Sequence, residues 1–572
     1  MAIVPTWAGE QDLTPQRTAA TARSEQTTIS LPPFFDCSKY LGPGFPQRPD
    51  FPRAADLLSH LDRLGIDRAV AWHTAARDLH PMSGNEQLLR EIEGVCAQDR
   101  IIPSFVIAPS MIDEPGVMDR FLDLVKTHRV RAFHFFKGKS GGSLPDVASV
   151  IQAILPSKPV LFLDSSESLS GRDKDQNIML SFSEEFPQVS IIYTNAMWVH
   201  YKALYKLMEA RRNIFVDTSL LHTYRTKEYI LRRFGVERLI FGAGYKSNNG
   251  AAIASLSHAE ISPVHAQAIA HGNLEQLLRI ESPLRGSRPV VGDRLWHRLL
   301  RRERLGPKII DAHAHLSRTP QDWDDHSDFD ACAKHALRYM DGMGVDTMLV
   351  ADTAIEANVD LQGSLGSKTY TEEHLSPYGG RFRGYFSALA FTPKYAEKLV
   401  PRLDEFFSRS YYIGFKMLND YWHLPVTDPC FVPMWKYADA HALPILVHTW
   451  EGPYDAPKLL KDIAPRYPNA IFLLGHSGSN DRPDAEELAQ NSPNVFLEWC
   501  GSFMNPTDWR ETLERLGNRR LVYGSDSIAF WGETLGHDPA WEMGRLLSLD
   551  VPDETLVPIL GNNMSSILAR RR

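Results

Sequence analysis

Leu443-Pro444-Ile445-Leu446-Val447-His448-Thr449 is an unbroken apolar run that stops on a histidine and a threonine. Its apolar residues do not alternate with polar ones, so both faces of an extended segment would be buried, as in a parallel sheet covered by helices. Similar runs recur at Lys308–Leu316, Asp346–Ala351, Gly384–Phe391, Tyr411–Leu418, Ala470–His476, Val495–Trp499 and Arg520–Asp526. Asp455–Tyr467 and Pro483–Gln490 fit helices between them. Eight strand–helix units between residues 308 and 572 close most simply as a barrel. A doubly wound open sheet, the rival, usually stops at five to seven strands. The fold class is therefore α/β.

The chain also matches itself. Pro33-Phe34-Phe35-Asp36 aligns with Lys308-Ile309-Ile310-Asp311, and Leu61–Asp67 with Met340–Asp346. Pro159-Val160-Leu161 aligns with Pro444-Ile445-Leu446, Arg238–Gly242 with Arg520–Gly524, and Gly272-Asn273 with Gly561-Asn562. Five matches in order at nearly constant offset predict two tandem TIM-type (β/α)8 barrels. The alternative is two unrelated α/β halves. The expected organisation is a flexible tail over residues 1–30, a first barrel over 31–281, a basic linker over 282–306 and a second barrel over 307–572. The linker carries Arg285, Arg288, Arg294, Arg298, Arg301, Arg302 and Arg304 and is expected to be a solvated helix rather than a nucleic-acid patch.

Composition narrows the partners. With 62 Lys and Arg against 70 Asp and Glu the net charge is −8, which offers nucleic acid or anionic lipid no overall basic field. No apolar stretch approaches the ~18 residues of a membrane span, and the first 30 residues do not resemble a secretory signal. Five scattered cysteines without CxxC spacing suit a reducing compartment, so a cytoplasmic location is expected.

In a barrel of this kind chemistry sits at the C-terminal strand ends. With 21 histidines in 572 residues, roughly one His-x-His triplet arises by chance, so His313-Ala314-His315 alone is weak. On a strand, however, i and i+2 share a face. The two imidazoles can then share an ion with His448 from the fifth strand and Asp526 from the eighth, which neighbours the first in a closed barrel. Three imidazoles and one carboxylate suit one divalent metal, Zn²⁺ first and Mn²⁺ or Fe²⁺ as alternatives. Trp450, Trp422, Trp499 and Trp531 stand near strand ends and serve either a flat substrate or packing. No Gly-x-Ser-x-Gly elbow, P-loop or GxGxxG stands at a strand-to-helix junction, which disfavours triad hydrolases, NTPases and dinucleotide enzymes.

Asp311-x-His313-x-His315, Gly414-Phe415-Lys416, His448, Gly475-His476-Ser477-Gly478 and Gly524-Ser525-Asp526 together resemble the amidohydrolase superfamily. The stretch Gly414–Trp450 and the segment through Trp531-Gly532-Glu533 are similar to its amidohydrolase-related branch of lactonases and non-oxidative decarboxylases typified by aminocarboxymuconate semialdehyde decarboxylase. The resemblance is strong over Pro307–Arg572 and faint over the first copy. It implies that His313, His315, His448 and Asp526 bind one metal, and that His476 moves a proton or polarises a carbonyl. Asp526 would double as base, and Lys416 would contact substrate or, carboxylated, bridge a second metal. Trp450, Arg482 and Trp531 are the candidate substrate contacts. The expected function is hydrolysis of a small lactone, ester or amide through a metal-bound water. The alternatives are non-oxidative decarboxylation of a carboxylated aromatic or unsaturated acid, and a non-catalytic two-barrel scaffold.

At the matching positions the first copy has Ser38 for His313, Tyr40 for His315, His134 for Lys416, Leu163 or Asp164 for His448, Asn195 for His476 and Gly244 for Asp526. These residues cannot assemble a zinc site. The first copy is therefore expected to be a catalytically dead pseudo-subunit covering the second, an intramolecular pseudo-dimer open to further homo-oligomerisation. A separate site built from His73, His134, Asp164 and Asn195 is the alternative.

Overall fold

The computed structural model describes the chain apart from residues 1–31, 44–49, 141, 170–172, 245–248, 283, 285–292, 317–328, 352–369, 501–508 and 528–535. The expected tail over 1–30 and Trp531 thus lie outside the described residues. One sheet runs β1 (Phe34–Leu41), β2 (Ile66–His73), β3 (Ile101–Ile107), β4 (Ala132–Phe135), β5 (Val160–Asp164), β6 (Ser190–Thr194), β7 (Ile214–Asp217) and β8 (Leu239–Ile240), paired in that order. The second runs β9 (Ile310–Ala314), β10 (Thr347–Ala351), β11 (Phe382–Ser387), β12 (Tyr412–Met417), β13 (Pro444–His448), β14 (Ile471–Gly475), β15 (Val495–Trp499) and β16 (Leu521–Tyr523), also in order. The pairings within both are parallel.

Each sheet curls until its last strand meets its first. The Cys37 N–H donates to the Phe241 carbonyl at 3.0 Å, and the Asp526 N–H donates to the His313 carbonyl at 2.7 Å. The protein is two TIM-type (β/α)8 barrels. Phe35, Val70, Phe162, Ile192 and Ile240 fill the first interior, and Ile310, Leu349, Leu446, Leu473 and Val522 fill the second. Burying such a side chain contributes about 1.5–3 kcal/mol.

Two local expectations fail. Asp455–Tyr467 is not one helix but two short turns, Pro457–Leu460 and Ala464–Arg466. Pro457 and Pro465 cannot donate helical hydrogen bonds and break the segment. The third strand of the second barrel ends at Ser387, whose hydroxyl accepts from the Leu389 N–H and turns the chain. In the expected linker, the described helix Leu295–Leu300 buries Leu295, Trp296, Leu299 and Leu300. Arg298 on this helix pairs with Asp293 at 2.7 Å, and beyond it Arg301 pairs with Glu303 at 2.8 Å and the exposed Arg304 with Asp346 at 3.0 Å.

Burial holds His134 and His222 down to about 3 and His258 to about 4. Their rings face Ser104 Oγ, the Leu220 carbonyl and the Leu299 carbonyl. A depressed histidine supports the fold fully above its unfolded value near 6.5. That support is lost as pH falls toward the folded value, because the unfolded chain then binds the proton the native state excludes. The slope is about 1.4 kcal/mol per pH unit for each imidazole. Urea midpoints are expected to agree at pH 8 and 7 and to fall clearly at pH 5. A midpoint unchanged at pH 5 would refute the three neutral imidazoles.

Candidate metal centre

The first strand of the second barrel is not a plain extended segment. Asp311 pairs with Met348 and Ala314 with Val350, so three steps along β9 oppose two along β10. Such a bulge re-aims side chains, and it brings the Nε2 atoms of His313 and His315 to 3.1 Å. Asp311 locks it. Its carboxylate accepts from the His313 N–H at 3.2 Å, from the Ser525 N–H at 3.0 Å and from Ser525 Oγ at 2.5 Å. This ties β9 to the segment that carries Asp526. Asp526 Oδ1 lies 3.2 Å from His315 Nε2 and 3.5 Å from His313 Nε2.

His313, His315 and Asp526 form one of two groups among the described residues whose ligand atoms lie within 4.8 Å of one another; the other is His313, His476 and Cys500. The second group is poor in chemistry. Burial, then the Glu498 carboxylate, push the Cys500 thiol far up, and its Sγ lies 3.0 Å from Glu498 Oε2, to which it donates. Only the thiolate ligates. His448 joins neither group. Its ring centroid stands 5.0 Å from that of His476, which brings it to the same strand-end level.

The outer nitrogens explain how the rings are held. His313 Nδ1 faces Glu498 Oε2 at 3.1 Å, His315 Nδ1 faces the Ala351 carbonyl at 2.6 Å, and His448 Nδ1 faces Asp455 Oδ2 at 2.6 Å. Each partner accepts, so each Nδ1 carries the proton and each Nε2 keeps its lone pair, the arrangement typical of metal-binding histidines. Burial keeps His313 far below its ordinary value, with the Lys416 cation adding to the effect, and lowers His448 to about 3. Burial opposes ionisation of Asp526, but the surrounding imidazoles outweigh it and hold the carboxyl well below its ordinary range. Neutral imidazoles beside an ionised carboxylate are the donor set a divalent cation requires.

Lys416 is fully buried, with Nζ 3.0 Å from His313 Nε2, and burial lowers it to about 8. His476 donates its N–H to Glu498 Oε2 at 3.0 Å and presents Nδ1 to Cys500 Sγ at 3.2 Å. The backbone here is costly. His476, Ser477, Gly478 and Ser479 have φ of 62°, 50°, 82° and 55°, and Asp526 has 49°. A non-glycine residue in this region costs about 1–2 kcal/mol. The turn is held by Ser477 Oγ donating to the Glu498 carbonyl at 2.7 Å, by the Gly478 N–H donating to Thr449 Oγ1 at 2.9 Å and by Ser479 Oγ donating to Glu451 at 3.0 Å.

Trp450 stacks on His448 at 5.9 Å and meets His476 edge-on at 5.6 Å, so it borders the site. Arg482 faces Glu486 at 3.4 Å on its own helix, Arg482–Asn491. Trp499 stacks on Trp509 at 3.6 Å and is buried packing. Glu498, Cys500, Asp455 and Tyr421, whose ring lies 5.5 Å from that of His448, also belong to the neighbourhood. Sequence reading missed them. Glu498 stands within the apolar run of the seventh strand and Cys500 just after it, while Asp455 lies in a loop and Tyr421 in the short helix Asn419–Trp422.

The first barrel repeats the frame with other residues. Asp36 accepts from the Ser38 and Ala243 N–H groups at 3.0 and 3.1 Å, as Asp311 does from His313 and Ser525. Asn195 donates its N–H to Asp217 as His476 does to Glu498. Strand registers set His134 against Lys416 and Asp164, not Leu163, against His448. Lys39 is fully buried there, its ammonium 2.8 Å from Asp36 and 2.7 Å from the Gly244 carbonyl.

Residues 310–563 match the family model described as amidohydrolase. No curated protein matches the chain. Among solved structures, 5-carboxyvanillate decarboxylase from Novosphingobium aromaticivorans, complexed with manganese and 4-hydroxy-3-methoxy-5-nitrobenzoic acid, is 11% identical, with a TM-score of 0.36 over 45% of this chain and 98% of that one. Dihydroorotase from Campylobacter jejuni is 13% identical, with a TM-score of 0.34 over 46% and 88%. 4-Oxalomesaconate hydratase from Rhodopseudomonas palustris is 14% identical, with a TM-score of 0.33 over 46% and 96%. Over residues 310–563, the second barrel, this chain is thus similar to the amidohydrolase family, a family of metal-dependent enzymes.

Proposed function

We propose that the second barrel holds one divalent metal on His313, His315, His448 and Asp526 and hydrolyses a lactone, ester or amide of a small organic substrate. The observation that carries this reading is the engagement of all three Nδ1 atoms by Glu498, the Ala351 carbonyl and Asp455, which leaves three Nε2 lone pairs beside an ionised carboxylate. The donors fit Zn²⁺, and equally Mn²⁺ or Fe²⁺. When bound, such an ion supplies Lewis acidity toward a substrate oxygen and makes water more acidic.

The chain's own residues do the rest. Asp526 accepts a proton from water at a carboxylate oxygen. His476, which burial keeps neutral at rest and whose Nδ1 faces Cys500, takes that proton from Asp526 at Nε2 and delivers it to the leaving atom. The Lys416 ammonium binds an anionic oxygen of the substrate, and Trp450 covers a flat face and excludes water. Hydrolysis needs only these groups and a proton-transfer path, and catalysis of this kind contributes about 10²–10⁴-fold per positioned acid or base. The first barrel, without this donor set, acts as a pseudo-subunit.

Decarboxylation is the second reading, favoured by the stack of Trp450 on His448, a surface suited to a planar unsaturated acid. The full chain loaded with Zn²⁺ or Mn²⁺ tests both. Aliphatic and aromatic lactones and esters are expected to yield one acid equivalent per turnover without CO₂. Release of CO₂ from carboxylated aromatics, with lactones inert, would replace hydrolysis by the second reading. Neither reaction from a metal-loaded protein would overturn both.

A further inference from the structure

His537 belongs to no motif of the family resemblance, yet its Nδ1 lies 3.4 Å from Asp526 Oδ2, the oxygen opposite the one that faces His313 and His315. The ring is buried. What places it there is the first barrel. Thr223 forms an antiparallel bridge with His537, flanked by the Tyr224 N–H donating to the Gly536 carbonyl at 2.7 Å and the Asp538 N–H donating to the His222 carbonyl at 2.8 Å. On its other side His537 bridges Ser527, which in turn bridges Ala314 in the His-x-His strand end. Three residues of the second barrel are thus threaded between a loop of the first barrel and the candidate ligands.

Asp538 fastens this segment. Its Oδ2 accepts from Ser255 Oγ and lies 3.5 Å from the buried Lys227 ammonium, both groups of the first barrel. Its Oδ1 accepts from the Ala540 N–H at 3.0 Å and caps the helix Pro539–Leu547. That helix lies on the first-barrel helix Asn249–His258 so closely that a Cβ on Gly544 would stand 2.5 Å from Ala254 Cβ and from the Gly250 carbonyl. Such contact leaves the segment little room to shift. A carboxylate that ligates with one oxygen is oriented through the partner of the other, and losing such a partner typically costs 10–100-fold in metal affinity.

We infer that His537 is a positioning residue of the metal centre, fixing Asp526 through Oδ2, and that the first barrel's Leu221–Lys227 segment and Ser255 hold it in place. The first barrel would then complete the second barrel's site rather than merely cover it. The inference rests on the ligand assignment above, and the test separates the two. Mn²⁺ alone is titrated into the metal-free full chain and its dissociation constant read by the paramagnetic signal of the free ion, with circular dichroism as the check on folding.

His537→Phe, which fills the volume without a donor, is expected to weaken Mn²⁺ binding about 10–100-fold, and His537→Gln, which restores a donor, to recover most of it. Ser255→Ala combined with Lys227→Met is expected to weaken Mn²⁺ in the wild-type background and to add nothing in the His537→Phe background. A His537→Phe constant within twofold of wild type overturns the inference while leaving the ligand assignment standing. Effects of the clamp and of His537→Phe that multiply overturn the role of the first barrel. Absence of Mn²⁺ uptake by the wild type overturns the ligand assignment itself.

Discussion

Replacing His313 by alanine together with Asp526 by glycine is expected to take metal content from about one equivalent per chain to none, because two of the three atoms clustered within 4.8 Å disappear. Activity should fall by more than the ~100-fold that loss of an outer partner costs. The fold should survive. Asp526 has φ 49°, and the matching position of the first barrel is Gly244 at φ 60°. Glycine removes a backbone penalty of about 1 kcal/mol at this position. Asp526→Gly alone is therefore expected to gain stability in a urea titration while losing metal. Metal analysis of the dialysed double variant decides the matter: an unchanged metal content would remove these residues from the site.

Residues 307–572 expressed alone are expected to self-associate or precipitate. All nine residues of the helix Pro539–Leu547 are buried, among them Trp541, Met543, Leu546 and Leu547. Part of that burial comes from the first-barrel helix Asn249–His258, which meets it at Gly250, Ala251 and Ala254. Uncovering large apolar side chains forfeits about 1.5–3 kcal/mol for each and leaves a patch prone to association. Gly544→Ala in the full chain probes the same contact without cutting it. The added methyl meets Ala254 Cβ and the Gly250 carbonyl and should cost about 1–3 kcal/mol. Size-exclusion chromatography of the fragment showing a monodisperse monomer would refute the dependence.

The eight strands of the second barrel were legible because each is a local apolar run, buried on both faces, whose reading needs no knowledge of its neighbours. Val495–Trp499 matches its strand end for end, and the others differ by a few residues at the termini. Helix Asp455–Tyr467 was misread because apolar spacing was weighed above Pro457 and Pro465. The strand-end positions of the His-x-His pair, Lys416, His448, His476 and Asp526 were legible for a related reason: a polar residue that closes an apolar run marks where a barrel strand ends. Arg482 stands at a helix start, where it faces the i+4 carboxylate of Glu486.

Glu498, Asp455, Cys500 and His537 are different. Their roles depend on which nitrogen of which ring they meet, and no spacing along the chain encodes that. His537 depends moreover on Thr223, Tyr224, Lys227 and Ser255, residues some 280 to 315 positions away. By itself, then, the amino-acid order determined two barrels and the residue types that gather at the mouth of the second, since local hydrophobicity and strand periodicity suffice for both. Only the tertiary structure decided which oxygen of Asp526 faces the histidines and what stands behind the other, because orientation is set by partners that folding brings together from opposite halves of the chain.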